Sequence, residues 1–320
     1  MNILYIGPYR LANNAGLEST NLLYNLMELG HNITARSVFD GTNPIKDKEI
    51  ISVFENIEQN KYSKFDLLIQ HLPISRIVKT SKIKNNIYWP ILDNTGLSPI
   101  EKKKCELISQ DGLLIYSTNS DKTILGTCNI SNLMKLNYII NDKLLSKNSS
   151  IFNFGIYNRH KKYYTIVDAT MEYTIQNLII NFVTKFQNKD YCLVVFLPNT
   201  TQNLLDQYQK YIKEIYTIFD INFSINKILI VPIDHNVDAL VSAHKTGDIY
   251  ISLKDNIQTI LSSSLGKNII YYKSEPILSY EKNNLKKYGT IEYKEKLDLD
   301  QPSIIKNIDN LKEIIGRYAQ

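Results

Sequence analysis

Arg159, His160, Lys161 and Lys162 stand in one unbroken run shortly after Gly155. Placed between a strand and a helix, a guanidinium and two ammonium groups beside free helix N–H groups could neutralise a diphosphate. A solvated basic loop is the other reading of the same run. His71 ends the apolar stretch FDLLIQHLP, where an imidazole at the carboxyl end of a strand could meet a ligand. A purely structural histidine fits that position as well. Gly16 opens a helix whose first N–H groups could hold an anion, or it marks a plain turn. The turn Lys254–Asp255–Asn256 offers a carboxylate and an amide beyond another strand.

Those groups need elements to hold them. The stretch from Gly247 to Tyr272 reads strand, helix, strand: GDIYISL, then IQTILSSSL with Ile257, Ile260, Leu261 and Leu265 on one face, then NIIYY. Gly266 is expected to close the helix, because glycine takes a positive φ at little cost. Such a unit requires a parallel sheet, and open parallel sheets bind ligands beyond the carboxyl ends of their strands. The amino-terminal stretch repeats the pattern. NILYIG is a strand, LESTNLLYNLMELGH a helix closed by Gly30, and ITARSVF a second strand. Its spacing is not G-x-G-x-x-G, so NAD is not indicated. Ser98, Pro99 and Glu101 mark a capped helix start.

Further elements continue the alternation. SIFNFG is expected as a strand, IYNRHKKYY as a basic loop, and TIVDATMEYTIQNLIINFVTKF as a helix. YCLVVFLP and KILIVPI are strands, separated by the helix TQNLLDQYQKYIKEIYTIF, and VDALVSAHKTG is a helix closed by Gly247. A polar stretch at 142–150 suits a linker. The expected architecture is α/β: two Rossmann-like domains, 1–145 and 146–320, with the last helix packing back on the first.

Composition bounds the rest. The chain has 320 residues, 43% hydrophobic, with a net charge of +5. That charge is slight for a nucleic-acid binder. No apolar run approaches the ~18 residues of a membrane span, and the first residues lack a signal-peptide pattern. Cys105, Cys128 and Cys192 are scattered, without disulfide or zinc spacing. A cytoplasmic location is therefore expected.

Taken in order, five stretches resemble the retaining GT-B glycosyltransferases of the large family 4 type. They are NILYIGPYR…NAGLESTNLLYNLMELGH, FDLLIQHLP, DGLLIYSTNS, FNFGIYNRHKKYYTIVDAT and AHKTGDIYISL…SSSLGKNII. The resemblance covers nearly the whole chain and implies two domains facing across a cleft. It implies a nucleotide-sugar donor, an acceptor of unknown kind (glycan, protein, small molecule or DNA) and no further cofactor. It assigns His71 and Asp255 to the reacting sugar, and Gly16, Arg159, Lys161, Lys162, Asn256 and Ser262 to substrate binding. No metal is expected, since cations would neutralise the leaving diphosphate. One departure stands out. The family carries E-G-F-G-x-x-x-x-E where this chain has KDNIQTIL, and Leu261 or Ser262 falls at the second Glu. A non-catalytic GT-B module, binding a glycan, a nucleotide or a catalytic partner in a homo- or hetero-oligomer, is the alternative. A DNA-base glycosyltransferase is a weaker one.

Overall fold

The computed structural model describes residues 1–38, 44–92, 96–138, 140–145, 149–167, 171–186, 190–220, 227–234, 236–253, 256–272 and 303–317. The chain divides into two compact units. The first is Met1–Leu145 with Asp255–Ile257 and Asp300–Gln320; the second is Ser146–Lys254 with Gln258–Leu299.

The first unit runs β1 (Asn2–Gly7), α1 (Asn14–Glu28), β2 (Asn32–Ser37), α2 (Lys48–Gln59), β3 (Leu67–Pro73), β4 (Asn85–Ile91), α3 (Pro99–Ser109), β5 (Leu113–Tyr116), α4 (Asn119–Leu125), β6 (Leu133–Lys135) and α5 (Asp142–Leu145). Its strands form one parallel sheet in the order β2-β1-β3-β4-β5-β6. The second unit runs β7 (Lys161–Ile166), α6 (Glu172–Phe186), β8 (Tyr191–Pro198), α7 (Gln202–Ile218), β9 (Ile228–Ile233), α8 (Val237–Thr246), β10 (Ile249–Ser252), α9 (Ile257–Ser264) and β11 (Asn268–Tyr271). Its sheet is also parallel, in the order β11-β10-β7-β8-β9. A last helix, α10 (Ser303–Gly316), is grouped with the first unit: Leu311, Ile314 and Ile315 are buried, and the Asn310 side chain accepts from the Asn137 N–H at 3.4 Å.

Both orders reverse direction once. In the first unit the reversal lies between β1 and β3, and in the second between β7 and β10. In doubly wound sheets, the carboxyl ends of the strands flanking that reversal border the ligand crevice.

Local chemistry explains the helix ends. Gly30 (φ 78) follows α1; its N–H donates to Met27 O and that of His31 to Leu26 O. Gly266 (φ 72) repeats the pattern after α9, with Gly266 N–H to Ser263 O and Lys267 N–H to Ser262 O. Both are six-residue left-handed caps, which satisfy two otherwise orphaned carbonyls. Ser98 and Glu101 form the expected capping box on α3. Thr118 caps α4, with Asp121 completing a second box.

Two boundaries differ from the sequence reading. The strand expected at SIFNFG is a coil followed by a 3-10 turn over Gly155–Arg159, and the strand is Lys161–Ile166. The helix expected from Thr165 starts at Glu172. The reason is the Tyr163–Tyr164–Thr165–Ile166 run: aromatic and β-branched side chains, buried on both faces, favour the sheet interior over a helix start. Gly247 does end α8, yet its φ is −81. Glycine is needed there for room, because a Cβ would stand 2.0 Å from the Tyr164 ring.

Gly16 is constrained in the same way, with a Cβ placed 1.8 Å from the Leu11 carbonyl oxygen. Gly16→Ala should therefore force backbone apart and cost about 1–3 kcal/mol. Gly30→Ala meets no atom within 4 Å and should cost only its positive-φ strain, about 1 kcal/mol. Urea denaturation of both variants measures the order; equal losses would contradict the packing argument.

Candidate functional site

At the reversal of the first sheet, α1 brings Glu18 and Ser19 against His71 of β3, a turn after Gly16. The Gly16 N–H is already bonded to the Asn13 side chain, the N-cap of α1, at 2.9 Å. What Gly16 contributes is therefore close backbone approach more than a free donor. His71 is only 1% exposed. Its Nδ1 lies 3.2 Å from the Tyr5 hydroxyl and 3.0 Å from the Ser19 hydroxyl, and its Nε2 is 3.6 Å from a Glu18 carboxylate oxygen. The ring stacks on Trp89 at 4.1 Å and 10°. A neutral ring protonated on Nε2 suits this setting: Nδ1 accepts from the Tyr5 hydroxyl, the Ser19 hydroxyl donates to Ala15 O at 2.7 Å, and Nε2–H faces the carboxylate. Burial pushes the imidazole down to about 3. His71, which the resemblance assigns to the reacting sugar, is held among Tyr5, Ser19, Glu18 and Trp89 of the first unit. Its ring is enclosed by its own domain, so it positions the β1, β3, β4 and α1 segments around the reversal.

The second unit holds a parallel arrangement. Tyr164 on β7 reaches His244 Nδ1 on α8 at 2.9 Å and Ser262 Oγ on α9 at 3.1 Å. His244 Nε2 faces Gln258 Oε1 at 3.1 Å. The pattern closes without an orphan if Nε2–H donates to Gln258, the Tyr164 hydroxyl donates to Nδ1 and the Ser262 hydroxyl donates to Tyr164. Burial pushes the His244 imidazole down to about 4. Beside this chain, Ser252 at the end of β10 bonds Thr259 on α9 at 2.9 Å. Ser262 is 0% exposed and engaged, so it braces α9 where the resemblance had it binding substrate. Asn256 sits immediately before α9, half-buried, beyond the end of β10. Asp255 lies outside the described residues.

The basic run needs the largest correction. Because β7 is Lys161–Ile166, Arg159, His160, Lys161 and Lys162 sit at its amino end. The nucleotide edge of a parallel sheet is the opposite one. Arg159 and Lys161 are exposed. Lys162 is 9% exposed, and its ammonium donates to Asn158 O at 3.0 Å and His160 O at 3.3 Å. Its backbone N–H donates to Asp248 Oδ2 at 2.7 Å, and Asp248 N–H returns a bond to Lys162 O at 3.0 Å. These bonds tie the start of β7 to the start of β10. At the carboxyl edge, Lys254 and Lys273 follow Leu253 and Tyr272 in the sequence and lie outside the described residues. Sequence reasoning missed Tyr5, Glu18, Tyr164, His244 and Gln258. Tyrosines inside otherwise aliphatic strands were the signal, but their partners are distant in sequence.

No known family profile matches the chain, and no curated protein matches it. Solved structures do. A glycosyltransferase from Rickettsia africae matches with a TM-score of 0.56 at 14% identity, over 85% of this chain and 79% of its own. A trehalose-6-phosphate structure from E. coli bound with UDP-2-fluoro glucose gives 0.56 at 8%, over 85% and 84%. An Anabaena HepE structure in complex with UDP and glucose gives 0.55 at 9%, over 86% and 81%. The fold is that of the GT-B glycosyltransferases. At these identities the likeness establishes the GT-B fold alone. No helix among the described residues is long and apolar enough to cross a membrane. The chain does contain an Asp-x-Asp, Asp298–Leu299–Asp300, outside the described residues.

The two histidines make a pH prediction. Each is held neutral in the fold, below its ordinary value of 6.5. Unfolding therefore takes up protons below pH 6.5, and stability falls as pH drops from 6.5 toward 4. The slope is roughly 1.4 kcal/mol per pH unit for each histidine. Urea midpoints across that range should show His244→Gln and His71→Gln each removing about one proton from the slope. An unchanged slope would contradict the burial account. Tyr164→Phe should cost about 1–3 kcal/mol at pH 7, since it leaves His244 Nδ1 without its donor.

Proposed function

We propose that the chain is a glycosyltransferase that binds a nucleotide-sugar at the carboxyl edge of the second sheet. The observation that carries this reading is the reversal between β7 and β10. It turns the α9 amino terminus, with Asn256 before it, toward the place where doubly wound sheets take phosphates. Two solved neighbours contain UDP with a sugar, which supports a uridine nucleotide as the first donor to try.

In this reading the anomeric carbon–oxygen bond to the diphosphate breaks as an acceptor oxygen attacks. Helix N–H groups, instead of Arg159 and Lys161, stabilise the negative charge on the leaving diphosphate. Asp255 accepts from a sugar hydroxyl and Asn256 donates to the donor. Ser262 and His244 act through α9 by fixing its seat. His71 plays the same positioning part for the first sheet, which takes the acceptor side. No metal enters this scheme.

A second reading, a non-catalytic GT-B module, draws on the missing E-G-F-G-x-x-x-x-E, in whose place this chain has KDNIQTIL. In this reading a nucleotide binds and is not turned over.

A thermal-shift and turnover panel of UDP-, GDP- and ADP-sugars separates the two. The transferase reading expects a nucleotide-dependent shift and slow hydrolysis of one donor, unaffected by EDTA. Asp255→Asn should lower that hydrolysis by about tenfold to a hundredfold, the cost of a lost charged acceptor. Arg159→Ala should leave it within twofold. A shift without turnover selects the module, and neither shift nor turnover refutes the donor site.

A further inference from the structure

Of the three free cysteines, Cys105 and Cys128 belong to the first unit and Cys192 to the second. Cys105 lies on α3, inside an apolar cluster with Ile77, Ile108, Leu114 and Leu125, and Cys128 packs against the same cluster. Cys128 stands in the turn that ends α4, where its N–H donates to Leu125 O at 3.0 Å. From that turn the chain runs beside α3. The Asn129 N–H donates to Glu106 Oε1 at 3.3 Å, and the Ser131 hydroxyl donates to Ser109 O at 2.8 Å. One residue back from the Asn129–Glu106 contact, on both sides, are Cys128 and Cys105. Their thiols interact: burial pushes Cys105 up to about 12, and the neighbouring Cys128 adds to the rise.

The two sulfurs differ in access. Cys105 is 0% exposed. Cys128 is half-buried, and its sulfur lies 4.0 Å from the hydroxyl of exposed Thr127. A small oxidant can therefore meet Cys128, with Cys105 placed behind it as a resolving thiol. We propose that Cys105 and Cys128 are a redox pair: a hydroperoxide oxidises Cys128, and Cys105 closes a disulfide that braces α3 to the end of α4. In the first step the Cys128 sulfur attacks a peroxide oxygen and the O–O bond breaks. Cys128 becomes a sulfenic acid, and the departing hydroxide leaves as water with the Cys128 proton. In the second step the Cys105 sulfur attacks the Cys128 sulfur and the S–O bond breaks. The hydroxyl leaves as a second water with the Cys105 proton. Two thiols lose two electrons and one hydrogen peroxide gains them. The reluctance of Cys105 to ionise makes the second step the slower one, and faster as pH rises. The pair lies within the first unit, so it stands or falls independently of the donor site.

The test treats the full chain with hydrogen peroxide, blocks remaining thiols by alkylation, and maps peptides by mass. The expected product has lost two hydrogen atoms, links the peptides of Cys105 and Cys128, reverts with dithiothreitol, and leaves Cys192, buried in the other unit, free to be alkylated after unfolding. Its rate of formation should rise between about pH 7 and pH 9. Oxidation should raise the thermal midpoint by at least about 3 °C. Cys105→Ser should stop at a Cys128 sulfenic acid that dimedone traps, and Cys128→Ser should leave Cys105 reduced at the same dose. Thermal unfolding of both reduced variants checks that they fold. A bond between two chains, a bond to Cys192, Cys128 sulfinic acid with Cys105 still free, or an unchanged midpoint after oxidation would overturn the proposal.

Discussion

A parallel sheet has a chemical direction. Every strand ends at the same edge, and every following helix presents its first N–H groups there. In this chain the direction of β7 decides which polar residues can share a site. Once Lys161–Ile166 is the strand, the cationic run belongs to one edge and the Asn256 turn to the other. No rotamer change can move a charge across a strand of six residues, some 20 Å long. Within that run Lys162 is a structural brace: its ammonium satisfies two carbonyls of the preceding turn, and its amide joins β7 to β10 through Asp248.

Each unit secures its sheet with a buried tyrosine, histidine and serine. In the first, the Tyr5 and Ser19 hydroxyls lie 3.2 and 3.0 Å from His71 Nδ1, between β1, α1 and β3. In the second, Tyr164 joins His244 and Ser262 between β7, α8 and α9. The residues come from elements that flank the strand reversal in both cases. Buried polar contacts of this kind contribute modestly to net stability, yet leaving one unpaired is costly. Their effect is to fix where a helix begins relative to a strand end, which a phosphate site requires within a fraction of an ångström. Gly16 and Gly247 serve the same purpose, by admitting backbone and ring contacts that a methyl group would block.

Much of this was legible in the residues. The alternation of apolar strands with amphipathic helices, the Ser98–Glu101 box and the left-handed caps at Gly30 and Gly266 follow from local rules, and local rules hold. The failure at 151–171 is instructive. Apolar SIFNFG and the two lysines of KKYYTI each send the wrong local signal, and only pairing of β7 with β8 and β10 resolves the register. His71 and Ser262 were visible as polar residues near strand or helix ends. Their burial was not, because the partners that enclose them, Trp89 and Tyr164, lie 18 and 98 positions away.

The central claim is that nucleotide chemistry belongs to the carboxyl edge of the second sheet and excludes the cationic run. Hydrogen–deuterium exchange, with and without saturating UDP, tests it most directly. The account predicts added protection at 199–201, 234–238 and 256–259, with 156–162 unchanged. Protection confined to 156–162 would contradict it.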